Sequence, residues 1–379
     1  MHYTENLIIG AGPAGLALAG CLARDHVSYT LIERTQQVAP AWHHHYDRLH
    51  LHTVKELSHL PHKPFPADYP QYVPRRLFAE YCEAYAREFQ IKPHFGHEAQ
   101  EVRREGDHWR VTTREGIVYQ AERVVVATGF NRRPYRPGWP GMADFAGQIL
   151  HSRDYQSGKP FAGQRVLVIG MGNTGAEIAA DLFEQGATPS ISVRSAVNVV
   201  LRDPFGRPVQ KTALMLAKLP HWLGDRLGRL SVSLTVGDLR PYGLGRPRLA
   251  PAQQLRELGQ TPVIDVGTLP LIKQGKVKVL PEVQRFTPPG VVCGGEEHAF
   301  DSVILATGYR AAIEEFLVDT TGVFNEKGIP RHWRVPEQPG LFFLGYDCYT
   351  AGGLLYVIRR DAQKIAAAIA QEKKIRVSH

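Results

Sequence analysis

The chain has 379 residues, 43% hydrophobic and 22% charged, the proportions of a globular protein large enough for two cores. Its net charge of +8 comes from scattered cations with no nucleic-acid-binding motif, so it favours anionic cofactors and substrates over a nucleic-acid partner. Four widely spaced cysteines form no CxxC pair, which speaks against a disulfide framework or a zinc site, and no apolar run reaches the ~20 residues needed to span a bilayer.

The first element follows almost at once. Asn6–Gly10 is a short apolar run of buried-strand type, and its position leaves no room for a signal peptide, so a soluble cytoplasmic protein is expected. It ends in Gly10-Ala-Gly12-Pro13-Ala14-Gly15, a GxGxxG fingerprint. The first glycine permits a tight strand-to-helix turn, the second lets backbone approach a pyrophosphate, and the third lets the helix pack on the strand. Leu16–Arg24 is the expected crossover helix, whose unpaired N–H groups face the phosphates. The next strand, Ser28–Glu33, ends in a carboxylate 18 residues after Gly15, which suits ribose hydroxyls and repels a 2′-phosphate. This site is therefore expected to hold FAD or NAD, with Glu33 and Arg34 at its edge.

Further along, His43, His44, His45, His50 and His52 cluster in one stretch beside Trp42. No Cys or carboxylate has matching ligand spacing, so a solvated or cofactor-flanking loop is expected there and no metal. A hairpin-like region, His108–Val118, precedes the strand Arg123–Phe130, which ends in Ala-Thr128-Gly129. Pro134, Pro137 and Pro140 then form a stiff linker.

A second fingerprint, Gly170-Met-Gly172-Asn173-Thr174-Gly175, follows 160 residues after the first, behind the apolar run Arg165–Gly170. One GxGxxG is weak evidence; two in one chain indicate two dinucleotides and redox chemistry between them. Here the next strand, Ser190–Ser195, ends in a cation and a hydroxyl, Arg194 and Ser195, which suit a 2′-phosphate and hence NADPH. Residues 207–248, rich in Leu, Pro and Arg, are expected to form much of a substrate lid, with Arg240, Arg246 and Arg248 as candidates to attract a carboxylate. The strand Ser302–Tyr309 repeats the ending Ala-Thr307-Gly308, and Gly340–Gly345 reads as one more strand. Gly352-Gly353 opens a helix, Leu354–Gln371, with Ile358, Ile365 and Ile369 on an apolar stripe; its amino terminus suits the electron-rich edge of a reduced flavin. The expected fold is α/β, with two Rossmann-like domains. Residues 1–155 and 296–379 would form an FAD domain, into which an NADPH domain, 156–295, is inserted, with a lid at about 200–250.

Phe145-x-Gly147-xxx-His151-xxx-Tyr155 is an FxGxxxHxxxY motif. With both fingerprints in this order, the whole chain resembles the class B flavoprotein monooxygenases, in the flavin-containing monooxygenase branch, since Tyr155 stands where the Baeyer–Villiger branch has Trp. Segments Tyr46–His52, Leu60–Pro66, Asp68–Pro70, Gly245–Arg248 and Thr261–Thr268 are most similar to the plant YUCCA enzymes, which convert indole-3-pyruvate to indole-3-acetate. That resemblance implies NADPH, FAD and O₂ chemistry through a C4a-(hydro)peroxyflavin, acting on a 2-oxo acid of the indole-3-pyruvate type. It also implies His52 and Lys55 as residues that bias the protonation of that adduct, and His151 as a coupling or proton-transfer residue. N- or S-oxygenation of a small amine or sulfide is the alternative within enzymes. A pyridine-nucleotide–disulfide reductase is a further class, opposed by the missing CxxC, and an electron donor without oxygenation is another. A monomer and a homodimer fit equally.

Overall fold

The computed structural model describes residues 1–377. The amino-terminal lobe runs β1 (His2–Ile9), α1 (Pro13–Arg24), β2 (Thr30–Glu33), then helices α2 (Pro40–His44), α3 (Lys55–Ser58) and α4 (Arg75–Glu88). Four strands complete it: β3 (His94–Phe95), β4 (Ala99–Glu105), β5 (His108–Thr113) and β6 (Val118–Val126). Next, β7 (Arg133–Pro134) and β8 (Gln148–His151) lead to β9 (Arg165–Ile169), α5 (Asn173–Glu184), β10 (Thr188–Ser192) and β11 (Val199–Leu201). Helices α6 (Val209–Leu216), α7 (His221–Thr235) and α8 (Pro251–Leu258) precede β12 (Val263–Asp265), α9 (Thr268–Lys273) and β13 (Lys278–Leu280). An antiparallel meander of β14 (Val283–Thr287), β15 (Gly290–Cys293) and β16 (Glu296–Ala299) feeds β17 (Ser302–Leu305), followed by β18 (Tyr309–Arg310), β19 (Leu341–Phe343) and α10 (Leu354–Val377).

Two sheets carry the fingerprints. The first has the order β3-β2-β1-β6-β5-β4, with β19 also paired to β6. β1 is parallel to both neighbours, while β4, β5 and the start of β6 form an antiparallel edge. The second is an all-parallel five-stranded sheet, β13-β10-β9-β17-β8. Both are covered on both faces, which explains why their strands read as unbroken apolar runs rather than alternating ones. Leu7 and Ile9 of β1 point into one core and Ile8 into the opposite one, while Val166 and Val168 of β9 oppose Leu167 and Ile169 in the same way. Each such fully buried Val, Leu or Ile contributes about 1.5–3 kcal/mol. The stripe of Ile358, Ile365 and Ile369 on α10 is buried in the same core as Leu16 and Leu18 of α1.

The expected domain limits need correction at the strand level. β8 and β17, expected in the first unit from their place in the chain, both pair in the second sheet, β17 between β9 and β8. The reason is that β17 follows directly from the meander, whose Val283, Phe286 and Val291 share a core with Leu167 and Ile169 of β9, so the chain emerges beside β9. The carboxy-terminal return to the first sheet begins later, and β19 makes it by pairing with β6.

Candidate active site

The two fingerprints adopt the same geometry. Gly10 and Gly170 both have φ +107°, a region that a side chain strains to enter. A Cβ on Gly10 would lie 2.8 Å from the Ala127 carbonyl oxygen, and one on Gly170 would lie 2.6 Å from that of Ala306. Each Ala-Thr-Gly strand end thus packs on the first glycine of one fingerprint. A Cβ on Gly15 would fall 1.9 Å from the Gly10 oxygen, and one on Gly175 would fall 2.0 Å from the Gly170 oxygen, so helix and turn touch at backbone distance. At Gly12 and Gly172 a Cβ would meet nothing within 4 Å. These residues are the N-caps of α1 and α5, and neither helix has a side-chain cap. Open space and uncapped N–H groups at a helix start fit a pyrophosphate.

A cavity of about 580 Å³ extends from the first fingerprint. Gly10, Gly12, Pro13, Ala14, Glu33, Arg34, Trp42, Thr128, Gly129 and Gly353 all line it. Glu33, at the end of β2, is buried and accepts the backbone N–H groups of Ala11 and Thr35 at 2.9 Å each, which holds its carboxylate at the turn. Trp42 packs on Phe78, with ring centroids 4.3 Å apart. The wall continues through Leu49, Leu51, His52 and Thr53 to the second unit, where Asn173, Thr261 and Ile264 close it. Asn173 is fixed there by accepting the Ile264 N–H at 2.7 Å. Arg194 and Ser195 stand exposed beyond the end of β10 and outside this cavity.

A polar cluster joins the two units at the cavity wall. His52 Nε2 lies 2.5 Å from Oε1 of Glu177, a carboxylate buried on α5. Tyr46 also bonds to Glu177 and to Thr174; burial and that carboxylate raise its hydroxyl well above the usual range, so it keeps its proton and donates it. Sequence reasoning missed Glu177. The signal was present: Glu177 and Asp181, four residues apart, interrupt an otherwise apolar helix face. Asp181 serves the linker motif, accepting the Tyr155 hydroxyl at 2.5 Å and the Gly158 N–H at 2.8 Å. His45, also on the wall, is pushed down to about 4 by burial and by Arg75 and Arg153, so it is a neutral imidazole at pH 7.

Other expected site residues fall elsewhere. Lys55 lies off the cavity, and its ammonium donates to the carbonyls of Ala67 and Tyr69, pinning a loop. His151 is fully buried; Nδ1 accepts the Arg153 N–H and Nε2 donates to the Gly308 carbonyl, both at 3.1 Å. Burial lowers its pKa, so it is a neutral strut with no nitrogen left for proton transfer. Thr307 and Gly308 belong to this linker contact and do not line the cavity. Nor does any residue of the expected lid at 200–250: Arg240 is paired with Asp238, while Arg34, Arg132 and Arg153 are the arginines on the wall. The lid is instead tied by buried Gln210, which accepts the Val54 N–H and donates to the Gly352 carbonyl. Among the described residues, no group of three His, Cys, Asp or Glu is placed to hold a metal ion.

Two Rossmann-type units, with a cavity reaching from the first fingerprint to Asn173 of the second, define a dinucleotide-binding oxidoreductase of the flavoprotein class. The family model for flavin-binding monooxygenase-like proteins matches residues 5–328. The chain belongs to that family and is a flavin-dependent monooxygenase. It is 42% identical to indole-3-pyruvate monooxygenase YUCCA1 of Oryza sativa subsp. japonica, over 92% of this chain and 87% of that one. Among solved structures, a flavin-containing monooxygenase from Stenotrophomonas maltophilia is 25% identical with a TM-score of 0.76, covering 98% of this chain and 99% of its own. A cyclohexanone monooxygenase variant of Rhodococcus sp. Phi1 bound to NADP⁺ shares the fold at 17% identity, with a TM-score of 0.75 over 98% and 86% of the two chains.

Proposed function

We propose that the protein binds FAD at the first fingerprint and NADPH at the second, and oxidatively decarboxylates a 2-oxo acid of the indole-3-pyruvate type. The observation that carries this reading is one cavity that runs from the first of two like-built GxGxxG turns to Asn173 of the second, in a chain 42% identical to an indole-3-pyruvate monooxygenase. In the overall reaction NADPH supplies two electrons and O₂ supplies two oxygen atoms. One oxygen enters the new carboxyl group, the other leaves as water, and the original carboxyl departs as CO₂.

When bound, reduced FAD supplies the activation of O₂. The chain's residues bind, orient and exclude water. Gly12 and the start of α1 hold the pyrophosphate, and Glu33 takes the ribose. Trp42, Leu51, Leu355 and Ile358 supply apolar wall, which keeps water from the reacting atoms. Glu177 grips His52 and Tyr46, so the flavin-side loop is registered against the helix that starts the NADPH site. His52, a residue of the cavity wall, has Nε2 committed to Glu177, which leaves Nδ1 as its other hydrogen-bonding nitrogen.

Stopped-flow spectroscopy of NADPH-reduced enzyme mixed with O₂ tests the reading. The expected result is a transient band distinct from reduced and oxidised flavin, decaying faster with indole-3-pyruvate, with indole-3-acetate as product. A transient that ignores the oxo acid but responds to an amine or sulfide overturns the substrate class. Direct return to oxidised flavin overturns the oxygenation chemistry.

A further inference from the structure

The segment 205–234 exposes apolar side chains with no partner. Phe205 is 74% exposed, Trp222 65%, Leu234 69% and Leu230 55%, with Met215 and Leu227 also exposed. In α7 only Gly224 is buried. Leu227, Leu230 and Leu234 are spaced i, i+3 and i+7, so they form one stripe along the helix. Phe205 sits in a tight turn at φ +55°, a conformation costing about 1 kcal/mol or more for a side chain, and burial does not offset it. Single exposed leucines need no explanation, but a contiguous apolar face does.

Cations border this face. Arg207, Lys211, Lys218, Arg226 and Arg229 stand against one acid within the segment, Asp225, a net charge of +4, although Lys211 is paired with Glu56 at 3.8 Å and Arg229 donates to the Arg248 carbonyl. Asp225 is already engaged by Arg256 at 2.8 Å. Lys218 and Arg226 are exposed, and neither has an ion-pair partner among the described residues. The charge decides between occupants. A twofold contact between two copies sets the same surface against itself, so these cations would face their own equivalents. An anionic lipid surface instead pairs with them while Trp, Phe and Leu enter the headgroup region. No described helix is long and apolar enough to cross a membrane, so the contact lies in the plane of the surface.

We infer that α7, with the Phe205 turn and the exposed edge of α6, is a docking face for an anionic lipid bilayer. The face adjoins the site, since Gln210 at the start of α6 bonds to the Gly352 carbonyl beside cavity-lining Gly353. Docking therefore sets the cavity region close to the lipid surface.

The experiment is co-sedimentation of the full-length, flavin-loaded protein with vesicles of phosphatidylcholine plus phosphatidylglycerol, and with phosphatidylcholine alone. Binding to the anionic vesicles only, released by salt, is expected. Trp222→Ser with Leu230→Ser and Leu234→Ser should weaken it tenfold or more. Lys218→Glu with Arg226→Glu should do likewise, since each cation lost weakens binding about fivefold. Melting temperature and flavin content, unchanged at these exposed positions, verify that both variants are folded. Failure of the wild type to bind anionic vesicles, or equal binding by the variants, overturns the inference. So does a concentration-dependent dimer that the triple substitution dissociates without any vesicle binding.

Discussion

Two alanine substitutions in one fingerprint should have separable effects. In Gly15→Ala the new Cβ meets the Gly10 carbonyl oxygen at 1.9 Å. Ordinary contact begins above 3 Å, so the turn or α1 must move by more than 1 Å. Neither moves freely: Gly10 is wedged against Ala127, and Leu16, Ala17 and Leu18 are fully buried. Overpacking against backbone on this scale costs about 3 kcal/mol or more. In Gly12→Ala the Cβ meets nothing within 4 Å of the protein, and its backbone is extended, so apoprotein stability should change by less than about 1 kcal/mol. The space it fills is where the proposed pyrophosphate would sit, so it should lose flavin affinity. Urea unfolding of the two apoproteins and titration with FAD separate the cases. The reasoning fails if the Gly12 variant binds flavin like wild type, or if the Gly15 variant is as stable as wild type.

Three further outcomes follow from the geometry. Glu177→Ala leaves Tyr46 and His52 without their shared acceptor and should cost about 3–5 kcal/mol by chemical denaturation, with Glu177→Gln recovering part of it; an unchanged midpoint would remove the cluster's role. Arg194→Ala should raise KM for NADPH about tenfold while leaving KM for NADH nearly unchanged, and equal effects on both would refute the 2′-phosphate assignment. His45 is held near 4 in the folded chain against 6.5 as its ordinary value, so between those values the unfolded state binds more protons and stability falls as pH falls from 6.5 towards 4. That slope, worth up to about 3 kcal/mol, should flatten in His45→Gln; an identical pH profile would show that His45 titrates normally.

Much of the frame was legible because its signals are local. A GxGxxG behind an apolar strand constrains φ and Cβ space within a few residues, and Gly10, Gly12 and Gly15 behave as that logic requires, as do Gly170, Gly172 and Gly175. The apolar stripe of α10 marked its buried face in the same way. Strand partnership was not legible. β8 and β17 carry no residue that names their neighbour, and a parallel strand buried on both faces suits either sheet equally.

The sequence by itself determined that two GxGxxG strand-to-helix turns exist, that an acid follows the first and a cation the second, and which helix faces are apolar, because each depends on spacing along the chain. Only the tertiary structure decided which polar residues reach the cavity. Lys55 and His52 are three residues apart, yet one is spent on loop carbonyls and the other meets Glu177, 125 residues away. His151, whose motif invited a chemical role, is closed off by two backbone partners. A side chain's availability depends on what folds against it, and that partner is set by long-range packing that no local spacing encodes.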